Sequence, residues 1–325
     1  MTKRLLILLL SLAAIAAPKR STREQGNVQP VLWQDPVDIA SRDTTWGPGG
    51  ASHQPHGPFR FVEEDSAGTS AKFVITDADG TKWKVKLGPE ARPETAASRL
   101  VWAAGYFADE NYYLPALQVT GIPSLKRGSS YVEPNGLVHG ARLKRYLKGE
   151  EKEGHWEWRA NPFFGSREFN GLRVLMALID NWDLKDVNNG VYEYEGRKIY
   201  LVTDLGSSFA TDEVHLSRAA DKGNLANYTA SQFIKEVAPP LVSFGTPGRP
   251  PLLEAVVVND YRSRVNMEWI GRNIPIDDAR WMGSILSRLT PQQIEAAFVA
   301  AGFSPAEVAG FSTEVEARIA ALNKL

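Results

Sequence analysis

The chain has 325 residues, 43% of them hydrophobic and 23% charged, the proportions of a globular protein with a sizeable core in one large domain or two lobes. Its formal net charge is -1, which leaves no cationic excess to hold a nucleic-acid backbone and no single-signed face for peripheral membrane attachment. Cysteine is absent, which excludes a disulfide framework, a thiolate zinc site and a cysteine nucleophile.

Lys3 and Arg4 precede an apolar run from Leu5 to Ala17, and Ala14-Ile15-Ala16 forms an A-x-A-like cleavage site within it. Residues 1–17 therefore read as a secretory signal peptide. The run is shorter than the ~20 apolar residues a transmembrane helix needs. The expectation is an exported protein, periplasmic or extracellular, in contact with a membrane only if the signal stays uncleaved. Residues 18–57 are polar and rich in Pro, Gly and Thr, and predict an extended, partly ordered lead-in. Its His53 and His56 read as structurally neutral.

Residues 58–148 predict a small β-rich lobe. Phe59–Val62, Lys72–Thr76 and Lys82–Leu87 are short strands, separated by the small-residue turn Ser66–Ser70 and the tight turn Asp77–Gly80. In the third strand Trp83, Val85 and Leu87 share one face, and Lys84 and Lys86 the other. Ala96, Ala97, Leu100, Val101 and Ala104 then recur at helical spacing from Pro93 to about Phe107, with Glu94 in the first turn. Tyr112–Leu114 and Leu137–Tyr146 predict further strands.

Residues 149–325 predict a larger, mainly helical lobe. Glu150–Gly154 reads as a charged, exposed connection, and Trp156 and Trp158 as a packed surface between lobes. Arg167–Asn181 is a helix with Phe169, Leu172, Leu175, Met176 and Ile179 as its core stripe. A hairpin follows, 190–194 with 198–202, turning at Glu195-Gly196-Arg197. Helices are expected over Asp278–Leu289, over Thr290–Gly302 with Thr290 as cap, and from about Ser304 to the end. Pro239-Pro240 and Thr246–Pro251 mark a long loop between them. The fold class is thus α+β and two-lobed.

The chemistry concentrates where the central helix ends. Asp183 is followed five residues on by Asn188, and Asp204-Leu205-Gly206 begins fifteen residues after Asn189. An Asp that orients an attacking hydroxyl, with an Asn and a second Asp holding metal ions against phosphates, is the division of labour in phosphoryl transfer. Asn188 and Asp204 are the candidate ligands, and oxygen donors of this kind suit Mg2+ or Mn2+. Lys86 is the candidate phosphate-pairing lysine, with Lys84 on the same face as the competing assignment. Glu94 is its candidate ion-pair partner, with Glu90 as the alternative. Gly68, Thr69 and Ser70 would cover the phosphates with backbone N–H groups. No Gly-x-Ser-x-Gly elbow or histidine metal cluster favours a hydrolase.

These residues carry a family resemblance. Gly68-Thr69-Ser70-Ala71-Lys72-Phe73 resembles the phosphate-loop segment of HipA-type serine/threonine kinases. Asp183-Leu184-Lys185-Asp186-Val187-Asn188 is similar to the Asp-x-His-x-x-Asn loop that those kinases share with phosphatidylinositol kinases, with Lys185 where the family has His. Asp204-Leu205-Gly206 is similar to their metal-binding Asp-Phe-Gly or Asp-Phe-Asp, and Golgi secretory kinases have a related layout. The resemblance covers about Phe59 to Phe209. It implies a protein-kinase-like fold, ATP as donor, a catalytic Asp183 and a Lys185 that brings charge to the transferring phosphate. The acceptor stays open among a protein, a lipid headgroup and a small metabolite. The rival readings are a catalytically inactive pseudokinase serving as a binding or scaffold module, and an unrelated envelope protein whose Asp and Asn residues only form turns.

Overall fold

Period-two alternation builds the first lobe in this computed structural model, which describes residues 28–147, 151–194, 196–210, 222–248 and 265–325. The predicted signal peptide lies outside the described residues. After a two-residue strand β1 (Pro30–Val31) come β2 (Phe59–Asp65), β3 (Lys72–Thr76), β4 (Lys82–Leu87), β5 (Asn111–Thr120) and β6 (Leu137–Arg145). The last five close into a barrel in the order β2-β3-β4-β6-β5, with β5 returning parallel to β2 through Phe59↔Val119 and Arg60↔Thr120. Phe73, Ile75, Trp83, Val85, Leu87 and Leu143 fill it. The register Phe73↔Val85↔Leu143 puts apolar residues opposite one another in a row. Asp77 accepts from the Asp79 and Thr81 N–H groups and from Trp83 Nε1, which sets the β3–β4 turn and satisfies the buried indole.

Helix α1 (Ala91–Ala103) crosses from the barrel to the second lobe. Its Ala96, Ala97, Leu100 and Val101 belong to the larger core. It stops short of the expected Phe107 because Tyr106 leaves the helix and donates its hydroxyl to the Glu168 carbonyl at 2.7 Å.

The larger lobe is organised around α2 (Arg167–Leu178), capped by Ser166, whose hydroxyl accepts from the Phe169 N–H. Every residue from Phe169 to Leu178 is buried. Strands β7 (Glu151–Gly154), β8 (Asn189–Tyr194) and β9 (Arg197–Val202) follow the order β1-β9-β8-β7 in one sheet. A second sheet holds β10 (Ile234–Ala238), β11 (Leu241–Phe244) and β12 (Ile274–Pro275), with the short helix α3 (Leu225–Ala230) before it. Helices α4 (Ile276–Leu286), α5 (Pro291–Ala300) and α6 (Pro305–Asn323) complete the lobe. Thr290 and Ser304 each close a reciprocal capping box, with Gln293 and Glu307. Among the described residues no helix is long and apolar enough to cross a membrane.

The α+β class and the division into a small β lobe and a larger, mainly helical lobe are as expected. Four local readings are corrected. Residues 151–154 form a strand, because their backbone pairs with β8 through Lys152↔Tyr192. Pro239-Pro240 turns the β10–β11 hairpin where a long loop was expected. Trp156 and Trp158 pack edge-to-face at 4.8 Å inside the larger core, with Trp156 Nε1 donating to the Leu201 carbonyl, and so do not sit between the lobes. The lead-in is fastened from Pro30 onward: Leu32 and Ile39 are buried in the larger core, while the Gly50 carbonyl accepts from Tyr112 of the barrel. His53 pairs with Glu110 and His56 with Asp79, both at 3.0 Å, carboxylates supplied by distant residues.

Candidate functional site

Strand alternation sends Lys84 and Lys86 to the face of β4 opposite the barrel core. In the ladder, Lys72, Lys86 and Arg142 stand directly opposite one another on β3, β4 and β6. Like charges in a row repel, and buried carboxylates offset them here. Glu94 is 1% exposed; its Oε1 accepts from Arg142 Nη2 at 2.6 Å, and its Oε2 forms an ion pair with Lys86 Nζ at 2.8 Å. Lys86 Nζ also reaches Glu90 at 2.7 Å and Asp204 at 3.1 Å. Lys86 therefore meets both glutamates that were weighed as partners. Lys84 pairs with Asp65 at 3.0 Å.

The electrostatics follow from this crowding. Burial acts to lower the Lys86 pKa, but Glu94, Asp204 and Glu90 together raise it above the usual lysine range. Burial acts to raise the Asp204 and Glu90 carboxyls, and Lys86 beside each, joined by Lys222 at Glu90, holds both below the usual carboxylate range. Burial lowers Lys72, with Lys86 and Lys84 adding to the effect.

The small-residue turn joins β2 to β3 at the mouth of the cleft. Asp65 accepts the Ala67 N–H at 2.9 Å, and Gly68 turns the chain with φ +66°. The Arg127 guanidinium donates to the carbonyls of Gly68 and Asp65. Thr69 is exposed. Ser70 Oγ donates to Glu90 Oε2 at 2.9 Å, so this hydroxyl is tied to the Lys86 cluster.

The chain leaving α2 forms the opposite wall. Asn181 Oδ1 accepts the Asp183 N–H, and Asn188 Nδ2 donates to the Asp183 carbonyl at 2.8 Å, which ties the two ends of the loop together. With Nδ2 committed, Oδ1 is the Asn188 atom that remains for a ligand. Lys185 Nζ pairs with Asp183 Oδ1 at 2.9 Å. The Asn188 carbonyl accepts from the Thr203 and Asp204 N–H groups, so the hairpin delivers Asp204 beside the loop. Asp204 Oδ1 accepts the Gly206 N–H at 3.2 Å. A Cβ at Gly206 would lie 2.7 Å from Glu90 Cβ, so only glycine lets α1 and the Asp204 turn approach this closely.

These groups line one cleft of about 1040 Å³ between the lobes. All nine predicted site residues, Gly68, Thr69, Ser70, Lys86, Glu94, Asp183, Lys185, Asn188 and Asp204, lie on its wall. So do Lys72, Lys84, Arg142, Lys144, Lys152 and Lys222, which give the wall more cations than its carboxylates Glu90, Glu94, Asp109, Asp183 and Asp204 can balance. Such a wall suits a polyanion. Glu90, Glu94 and Asp204 bring carboxylate oxygens within 4.8 Å of one another. Carboxylate oxygens are donors that hard divalent cations take, and Asn188 lies on the same cleft wall.

Arg142 and Lys222 were not anticipated. Arg142 was visible only as a charge on a predicted strand; its place opposite Lys86 depends on the β4–β6 register, which no local signal sets. Lys222 reaches Glu90 across the fold, and its sequence neighbourhood carries no motif.

No protein-family model matches the chain, and no curated protein matches it. Solved structures similar to it include a Helicobacter pylori proinflammatory kinase, CtkA, at 11% identity and a TM-score of 0.45, covering 82% of this chain and 95% of that one. They also include the Golgi casein kinase with Mn/ADP bound, at 11% identity and a TM-score of 0.38, and the Golgi casein kinase in a second structure at 8% identity and 0.37. Each of the latter pair covers 83% of this chain and 72% of its own.

Proposed function

We propose that the chain is an exported, kinase-like phosphotransferase that uses ATP with Mg2+ or Mn2+ and passes a phosphoryl group to a hydroxyl acceptor. The observation that carries this reading is the convergence of Glu90, Glu94 and Asp204 on Lys86, in a cationic cleft that Asp183 and Asn188 also line. Phosphoryl transfer is catalysed almost entirely by positioning and charge neutralisation, and this cleft is built for both.

In this reading Lys86 binds phosphate oxygens, with Glu94 fixing its position. The backbone of Gly68–Ser70 lies over the phosphates. Asp204 and Asn188 Oδ1 would hold the metal, which when bound neutralises charge on the phosphates. Asp183 orients the acceptor hydroxyl and receives its proton, and Lys185 brings positive charge beside it. The acceptor is a protein side chain, a lipid headgroup or a small metabolite. The signal-peptide pattern of residues 1–17 supports export to the periplasm or beyond.

One feature favours a second reading, a nucleotide-binding pseudokinase in the cell envelope. Asp183, the group that would take the proton, is already engaged by Lys185. The test is a thermal-shift series with ATP plus Mg2+ or Mn2+, run beside Asp204→Ala, followed by ATP turnover. A ligand that binds only the folded state raises the melting temperature. A metal-dependent rise lost in Asp204→Ala supports the nucleotide site, and turnover then separates enzyme from pseudokinase. No rise with either metal in a folded sample overturns the phosphotransferase reading and leaves the fold as a binding module.

A further inference from the structure

We propose that Lys222 is a second phosphate-binding lysine of this cleft, contacting the terminal phosphate of the nucleotide, and that Glu90 is the positioning residue that holds it there. The inference rests on the nucleotide-binding reading above and assigns it a residue from outside the motifs.

Three independent contacts converge on the Glu90 carboxylate. Ser70 Oγ donates to it from the glycine turn, Lys86 Nζ from β4, and Lys222 Nζ from the chain that follows the Asp204 turn. Glu90 thus joins the glycine turn, β4 and Lys222 at one carboxylate. Lys222 takes Glu90 Oε1, while Lys86 and Ser70 take Oε2. The side chain is 14% exposed and lines the cleft.

Its position is built from several sides. The Gly223 N–H donates to the Ser208 carbonyl at 3.2 Å and the Asn224 N–H to the Phe209 carbonyl at 2.9 Å, which fastens the backbone just after Lys222 to the segment leading out of the Asp204 turn. Asn224 then caps α3. The Lys222 ammonium also lies 5.8 Å from the Trp182 ring centre, within cation–π range, and Trp182 directly precedes Asp183. Lys222 is therefore held against Glu90, which packs on the Asp204 turn, and against Trp182, which precedes the proposed base.

The charges explain why a second ammonium belongs here. Lys86 is shared among three carboxylates, Glu90, Glu94 and Asp204. A single ammonium so encumbered leaves little uncompensated charge for a triphosphate. Among the described residues Lys222 pairs with Glu90 alone of the cleft carboxylates, and a phosphate oxygen can share it without leaving a buried anion unpaired, since Lys86 and Ser70 still serve Glu90.

The test is titration calorimetry of the purified chain with adenosine, AMP, ADP and ATP in Mn2+, comparing wild type with Lys222→Gln, Lys222→Arg and Glu90→Gln. A lost charge-assisted contact is worth about a tenfold change in affinity or more. The expected result is a loss of that size for ATP in Lys222→Gln, with AMP affinity within about twofold of wild type and Lys222→Arg close to wild type. Glu90→Gln should blunt the ATP preference in the same direction. If wild type binds ATP and Lys222→Gln binds it equally well, the assignment of Lys222 is wrong and the nucleotide-binding reading stands. If AMP and ATP weaken alike, with unchanged circular dichroism, Lys222 acts on the shape of the whole cleft and the terminal-phosphate contact is refuted. If wild type binds none of the four, the nucleotide reading itself falls, and this inference with it.

Discussion

Glu94→Ala tests the electrostatic heart of the cleft without any knowledge of the ligand. Glu94 and Arg142 are 1% and 3% exposed, and their contact at 2.6 Å is a buried ion pair. Lys86 also leans on Glu94, but it keeps Glu90 and Asp204 when Glu94 is removed. The group truly orphaned is Arg142, whose Nη2 donates to Glu94 while Nε and Nη1 have no hydrogen-bond partner among the described residues. Removing one partner of a buried pair costs about 3–5 kcal/mol, because the remaining charge stays desolvated. An exposed pair such as Lys198–Glu153 at 3.0 Å is worth about 0–1 kcal/mol, and Lys198→Ala serves as the internal control. Replacing both charges with apolar groups of similar volume, Glu94→Leu with Arg142→Met, should recover at least about 2 kcal/mol relative to Glu94→Ala, since well-packed apolar substitutes for a buried pair are often near neutral. Urea unfolding followed by tryptophan fluorescence and by circular dichroism measures all of these. The reasoning is refuted if Glu94→Ala costs no more than Lys198→Ala, or if the double variant loses the sum of its single changes.

Gly206→Ala should push Glu90 off the Asp204 turn, because its Cβ would sit 2.7 Å from Glu90 Cβ; a cost of about 1–3 kcal/mol and a reduced nucleotide-dependent melting shift are expected, and an unchanged shift would contradict the close-approach argument. Asp204 and Glu90 are held low by Lys86 despite burial, so their contribution to stability is complete above about pH 5, past the unfolded carboxyl range, and is lost as pH falls through their lower folded values. The melting temperature should accordingly drop at acid pH, and Asp204→Asn should flatten that limb of the curve; an identical limb in the variant would remove Asp204 from the account. Ser304→Ala breaks the capping box of α6 and should cost about 1 kcal/mol in urea unfolding, with nucleotide binding unchanged.

The strands and helices near the cleft were legible because their signals are local. Lys72–Thr76 and Lys82–Leu87 were bounded correctly, since apolar alternation and an Asp-rich turn lie within the same dozen residues. Thr290 and Ser304 announced α5 and α6 by their capping residues. What escaped was pairing supplied from elsewhere. Glu151–Gly154 is too charged to read as a strand, and becomes one only because β8 offers it a backbone partner. Two residues of β1 cannot announce a strand, yet β9 gives them one. Pro239-Pro240 was read as loop because proline excludes central strands, which is true of the turn but says nothing about the strands it connects.

The site divides along the same line. Lys86, Glu94, Asp183, Asn188 and Asp204 fall within short motifs whose spacing reflects one local element each, a strand, a helix turn, a loop and a hairpin. Choosing Lys86 over Lys84 as the lysine at the carboxylate cluster was beyond the sequence, because both point to the same face; the difference is that Lys84 finds Asp65 at the start of the glycine turn while Lys86 finds α1. Arg142 follows from the register of β4 with β6, and Lys222 from the return of the chain after the Asp204 turn. Both are cations brought by one part of the chain to carboxylates on another. Such partners are chosen by the energetic need to neutralise a buried charge, and that need appears only once the fold has buried it. The carboxylate cluster is therefore where a motif-based account of this chain must be incomplete: three acidic residues crowded within 4.8 Å require cations, and sequence proximity supplied just one of them, Lys86, four residues before Glu90.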